Sequence, residues 1–173
     1  MTPSDPWRLT LGSLDDTRRL GLAVAAACRA GDVVALEGEL GAGKTQLVRG
    51  IAEGLGINGR EVSSPTFVIA REHEAPGDGP VLVHIDAYRV TSSEELATIG
   101  WDAPGGGELA VGAVLAVEWA GRVASMLGED CLQVTLEHVD EQTRAAAVVG
   151  GGSWADRVTK VKAHYEEADG GAG

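Results

Sequence analysis

Lysine is almost missing from this chain. Of its 14 basic residues in 173, three are lysines, and Lys44 is the single lysine before Lys160. Against these stand 26 acidic residues, for a formal charge of −12. That balance argues against broad electrostatic capture of nucleic acid or of an anionic membrane. Cysteine is scarce too: Cys28 and Cys131 stand apart with no C-x-x-C, which excludes a disulfide framework or a cysteine zinc site and reads both as small buried hydrophobes. No apolar run approaches the length that crosses a bilayer, and "MTPSDPWRLT" lacks the apolar core of a secretion signal. These lacks lead to the expectation of a cytoplasmic protein without a membrane partner. The length suits one domain, read as residues 1–167 with a flexible tail over 168–173.

The lone early lysine sits in "GELGAGKT", Gly38 to Thr45. The fixed positions Gly38, Gly43, Lys44 and Thr45 make the pattern G-x-x-x-x-G-K-[ST], in which glycines let the backbone approach a phosphate closely and successive N–H groups point at one anion. The loop Gly38, Glu39, Leu40, Gly41, Ala42, Gly43, Lys44, Thr45 and Gln46 is therefore the expected nucleotide-binding segment. Lys44 would reach the β/γ-phosphates and the Thr45 hydroxyl would ligate Mg²⁺. With 25 glycines in the chain, independent draws produce the pattern in roughly one such chain in 150, which disfavours an ordinary glycine turn. Its setting agrees: "DVVALE" (32–37) reads as a buried strand, and "QLVRGIAEGLG" (46–56) carries apolar residues at helical spacing.

Elsewhere, "SLDDTRRLGLAVAAACRAGD" opens on the cap pattern Ser13 and Asp16 and reads as a helix. "FVIAREHE", "VLVHID" (81–86), "VLAVEW" (114–119), "CLQVTLEH" and "TRAAAVV" read as strands, Ser92 or Ser93 as the cap of a short helix, and "SWADRVTKVKAHYEEADGGAG" as an amphipathic surface helix of no catalytic importance that fades into the tail. There is no internal repeat. Strands alternating with helices around such a loop predict an α/β fold of the P-loop NTPase type: three layers, a mostly parallel central sheet flanked by helices, and the site at the strands' carboxyl ends. Two apolar strands end in an acid, Asp86 and Glu118, where Mg²⁺ needs hard oxygen ligands and an attacking water needs orienting. In "SSPTF" (63–67), Pro65 holds the chain extended and presents Thr66 from a loop, as a γ-phosphate sensor does. A plain Ser/Pro turn is the competing reading there.

These segments together resemble the TsaE family, also called YjeE. The resemblance rests on the loop Gly38 to Thr45, "SSPTF", "HIDAYR" (84–89), "EELATIGWD" (94–102) and "VEW" (117–119), in that order, and spans residues 10 to about 138. H-x-D-x-Y-R followed by E-W is far more specific than the loop alone. What the resemblance implies is a bacterial ATPase that acts with the TsaB and TsaD proteins in making threonylcarbamoyladenosine in tRNA, with ATP and Mg²⁺ as cofactors and with tRNA met only through the complex. It implies phosphate contact by Lys44, Mg²⁺ binding by Thr45 and Glu118, and for Asp86 a water-positioning or base role with a supporting magnesium role as fallback. Together with Thr66, Lys44 and Asp86 form the expected catalytic set. Trp119 would sense nucleotide, Thr10 would border the adenine, and His84, Tyr88 and Arg89 would be partner-facing or structural. "DAPGGGELAVGA" is longer than the usual link before E-W. A P-loop small-molecule kinase is an alternative, weakened because the eleven arginines are dispersed with no Arg-rich lid. A nucleotide-gated binding module is another. A GTPase is disfavoured, since no [NT]-K-x-D segment occurs.

Overall fold

The computed structural model describes residues 5–65 and 69–170. Seven strands form one sheet: β1 (Trp7–Leu11), β2 (Val33–Gly38), β3 (Ala70–His73), β4 (Val81–Asp86), β5 (Ala113–Glu118), β6 (Cys131–His138) and β7 (Arg144–Gly150), ordered β1-β7-β6-β2-β5-β4-β3. The helices are α1 (Leu14–Ala27), α2 (Lys44–Gly54), α3 (Ser93–Ala97), α4 (Ala124–Leu127) and α5 (Trp154–Gly170). Together they make a three-layer α/β fold.

The sheet is mixed rather than mostly parallel. β6, β2, β5 and β4 run parallel, whereas β1, β7 and β3 pair antiparallel at the two sides. For β7 beside β6 and β3 beside β4 the cause lies in connection length, because a parallel neighbour needs a crossover of a dozen or more residues. β6 and β7 are joined by a tight turn in which the Asp140 carboxylate accepts from the backbone of Gln142 and Thr143, and β3 and β4 by the short "APGDGP" segment. Strand β1 was not among the sequence expectations. It is a five-residue edge strand whose Arg8 and Thr10 face solvent, so its alternation is too short to stand out.

Strand alternation splits the apolar core between the sheet's two faces. Val34, Leu36, Leu132, Val134 and Leu136 join α1, α2 and α5 on one face, while Val33, Ala35, Val83, Ile85, Leu115 and Val117 meet Leu96, Trp101 and Leu127 on the other. Ser13 caps α1 by accepting from the Asp16 N–H at 3.1 Å. α1 and α2 meet through glycine: a Cβ on Gly21 would lie 2.3 Å from the Leu47 carbonyl, and one on Gly50 would lie 2.0 Å from the Arg18 carbonyl. The first helix is thereby seated directly against the helix that follows the glycine loop.

α5 is amphipathic, as its sequence suggests, but it is not a surface appendage. Trp154, Val158, Val161 and Tyr165 are buried against the sheet and α1. Buried Arg157 forms a two-pronged pair with Asp32 at 2.6 and 2.7 Å, just before β2 begins.

Candidate active site

The loop between β2 and α2 takes its shape from three glycines in left-handed conformations, with φ of 151° at Gly38, 77° at Gly41 and 106° at Gly43. Gly38 is further constrained by space, since a Cβ there would come within 2.6 Å of the Leu136 carbonyl. Gly43 then caps α2, and its carbonyl accepts from the Leu47 N–H at 3.0 Å to start the helix. The first N–H groups of any helix lack carbonyl partners within it, which makes this end an anion-binding position.

A pocket of about 360 Å³ opens over that helix end. Its walls include Leu40, Gly41, Gly43, Lys44, Thr45 and Gln46 from the loop, Ser64, Asp86 and Tyr88 from the segments around β4, and Glu118 and Trp119 from the end of β5. Asp86 and Glu118 lie side by side because β4 and β5 are parallel and in register, Asp86 opposite Glu118. The two acids, remote in sequence, thus share one wall below Lys44 and Thr45.

Lys44 is buried, and its ammonium donates to the carbonyls of Gly38 at 2.6 Å and Glu39 at 3.0 Å while lying 4.0 Å above the Trp119 ring. Burial lowers its pKa, with Glu118, Glu37 and Asp86 pulling it back up. Trp119 continues into Tyr88, ring centroids 5.0 Å apart, and Arg122 caps the Tyr88 ring. Trp119 has φ of 58°, the one non-glycine residue with positive φ among the described residues. Such a conformation costs on the order of 1–3 kcal/mol and persists where surroundings enforce it. It turns the chain sharply after Glu118.

Both acids are held in place. The Thr45 hydroxyl donates to Glu118 Oε1 at 2.9 Å, and the buried His84 Nε2 lies 2.7 Å from the same oxygen. Asp86 accepts from the Ser64 hydroxyl at 2.9 Å and from the Tyr88 N–H at 3.0 Å. Among the described residues no group of three or more His, Cys, Asp or Glu forms a metal cage. The donor set instead suits Mg²⁺, which takes one or two protein oxygens and completes its shell with water and phosphate. Thr45 and Glu118 are the residues that would hold it, with Asp86 beside them.

Other expected residues fall elsewhere. Gly38 and Glu39 line a second hollow with Trp119, Thr135 and His138, and Ala42 is fully buried beneath the loop. Thr10 lies on β1 opposite Ala145, in a shallow depression with Arg8 and Thr135. His84 has no exposed surface and stands behind Glu118, whereas Tyr88 is exposed in the pocket wall and Arg89, next to it, is exposed but outside the pocket lining. Thr66 lies outside the described residues.

Sequence reasoning missed three contributors. Ser64 stood in a quoted motif whose threonine drew the attention. Arg144 is buried at the start of β7 and donates to the carbonyls of Asp140 at 2.9 Å and of Gly41 at 3.3 Å, tying the β6–β7 turn to the glycine loop. Glu37 accepts from the Gly121 N–H and fixes the turn after Trp119. A lone arginine opening an apolar strand was the one signal available for Arg144.

The family model of the threonylcarbamoyl adenosine biosynthesis protein TsaE matches residues 11–146. The tRNA threonylcarbamoyladenosine biosynthesis protein TsaE of Streptomyces coelicolor is 44% identical over 144 residues, covering 80% of this chain and 93% of that protein. The protein of the same name from Bacillus subtilis is 38% identical over 131 residues, covering 75% of this chain and 77% of its own. Among solved structures, Bacillus subtilis YdiB aligns with a TM-score of 0.68 at 27% identity, over 95% of this chain and 97% of that one.

Proposed function

This chain belongs to the TsaE family, with a role in tRNA threonylcarbamoyladenosine biosynthesis, and on that premise we propose that it is the ATP-hydrolysing subunit of that machinery, acting with TsaB and TsaD so that the machinery turns over repeatedly. The observation that carries the reading is the convergence of Lys44 and Thr45, at the start of α2, with the in-register acids Asp86 and Glu118 in one pocket. A P-loop nucleoside triphosphatase needs those four functions together.

In this reading the glycine loop and the free N–H groups of α2 cradle the phosphates, and Lys44 exchanges its carbonyl partners for phosphate oxygens. Thr45 and Glu118 would hold Mg²⁺, which would supply positive charge against the phosphates during hydrolysis. Asp86, fixed by Ser64 and the Tyr88 N–H, orients the attacking water or accepts its proton. The exposed Tyr88 and Arg89 are on the side offered to partners. With a charge of −12, the chain docks on a protein rather than gripping tRNA itself. Cytoplasmic residence follows from the tRNA substrate, and no helix among the described residues is long and apolar enough to cross a membrane.

An omission assay tests the proposal. TsaB and TsaD are combined with threonylcarbamoyl-adenylate, ATP, Mg²⁺ and tRNA, and modified adenosine is followed over many turnovers with this chain, without it, and with its Glu118→Ala variant. The expected result is repeated turnover with the intact chain alone. Unchanged turnover on omission overturns the reading and redirects the search to small-molecule phosphate acceptors.

A further inference from the structure

His84 occupies a fully buried core position, yet it is a polar ring. It stands on β4 opposite Ala116 of β5, and Glu118 lies two residues further along the same face of β5. The small side chain at Ala116 lets the imidazole lie diagonally beneath the Glu118 carboxylate, with Nε2 2.7 Å from Oε1. The ring's other nitrogen, Nδ1, is buried with no hydrogen-bond partner among the described residues. A buried polar atom without a partner carries a desolvation cost that an apolar side chain of similar size would avoid. The position therefore tolerates a loss on one side of the ring for the sake of what Nε2 does on the other.

Glu118 Oε1 receives two hydrogen bonds, one from Thr45 at 2.9 Å and one from His84. A carboxylate oxygen can only accept, so Nε2 carries the proton. The two donors differ in what else is asked of them. The Thr45 hydroxyl is itself needed at the metal, whereas His84 is enclosed on β4 with Nε2 on Glu118 alone. His84 is the donor that stays when Thr45 turns away, and it leaves Oε2 of Glu118 unoccupied by any hydrogen bond in the described structure.

We propose that His84 is a positioning residue for Glu118: its buried Nε2–H fixes the carboxylate through Oε1 and so presets the acid for a divalent cation at the pocket. The proposal rests on the reading of Thr45 and Glu118 as the magnesium-binding pair. Outer-shell donors of this kind commonly govern metal affinity by about 10- to 100-fold. The ring acts on the affinity of the site for metal and not on the phosphate cradle, which is built from the glycine loop and α2.

The test measures ATP binding calorimetrically across a magnesium series and in EDTA, for the parent chain, His84→Phe and His84→Gln. Phenylalanine fills the space without the donor, and glutamine offers an amide N–H near the position of Nε2. The expected result is a rise of about tenfold in the magnesium concentration for half-maximal effect with His84→Phe, unchanged binding in EDTA, and recovery of most of the loss with His84→Gln. A magnesium requirement within twofold of the parent in His84→Phe overturns the proposal. So does an equal loss with and without magnesium, or a glutamine variant no better than phenylalanine, because each marks packing rather than orientation. A parent chain that binds ATP without regard to magnesium overturns the underlying reading as well, and is recognised before any variant is made.

Discussion

Two buried cations stand at opposite ends of β2, and each lies on a tryptophan. At the entrance, Arg157 is 3.8 Å above the Trp154 ring. At the exit, Lys44 is 4.0 Å above Trp119. The likeness ends there. Arg157 meets the Asp32 carboxylate with two hydrogen bonds and also donates to the Ala27 carbonyl and the Ser153 hydroxyl. Among the described residues, Lys44 donates to two carbonyls and to no carboxylate. A buried charge is costly unless paired, so the entrance cation is complete within the fold, while the exit cation is the one that gains most from an incoming anion. The difference separates a group that holds the structure from the group that, in the proposed function, receives the nucleotide.

The comparison breaks most visibly at Arg157. Replacement by alanine leaves the buried Asp32 carboxylate without its cation, keeping only the Arg29 N–H, and a loss of about 3–5 kcal/mol in unfolding free energy is expected from urea titration; a loss below 1 kcal/mol would show that the pair is solvated in solution. Lys44→Ala is expected to do the reverse. Folding stability stays within about 1 kcal/mol of the parent, whereas ATP affinity measured by calorimetry falls by a hundredfold or more, about 3 kcal/mol. A variant that binds normally would remove Lys44 from the phosphates.

Asp86→Ala sharpens the contrast inside the site itself. It is expected to keep nucleotide affinity near the parent's, while single-turnover hydrolysis in the assembled complex falls about a hundredfold. Equal turnover would strip Asp86 of its assigned part. The smallest effect concerns Cys28, next to the Arg157 pair. Burial foremost, and then the Asp32 charge, raise its pKa strongly, with Arg157 opposing. At pH 8 the folded thiol is therefore less ionised than in the unfolded chain, and its reaction with a thiol reagent is expected to be slower than in urea, rising as the pH is raised. Labelling at the unfolded rate would mean that this end of β2 opens readily.

The pattern of success in reading the sequence follows the range of the interactions. The glycine loop was legible because its chemistry needs fixed local spacing, and Asp86 and Glu118 because each ends a continuous apolar run. β4 and β6 also kept their expected bounds, β4 as a short, continuously buried run and β6 by its alternation of buried apolar and outward polar residues. The antiparallel margins were less legible. Nothing in "WRLTL" announces that it pairs with β7, which follows more than a hundred residues later. The supports of the site were invisible for the same reason. His84 meets Glu118 and Arg144 meets Gly41 only after the chain has folded back, as Arg157 meets Asp32 at the far end of β2, so no window of sequence holds both partners. α5 shows the limit well: its amphipathic face was readable, but its partners across the sheet were not.

The glycine contact between α1 and α2 carries a consequence for how this molecule will look under mutation. Neither Gly21 nor Gly50 lines the pocket at the start of α2, yet a side chain at either would drive the two helices apart, and the base of α2 cannot shift without carrying its first turn, with Lys44 and Thr45, along. A saturation screen scored on nucleotide binding will therefore draw an active site larger than its chemistry, with a second patch of apparent ligand residues at the α1–α2 contact, away from the pocket. Distinguishing the two patches needs only a stability score beside the binding score: the outer patch loses both, the inner one loses binding alone.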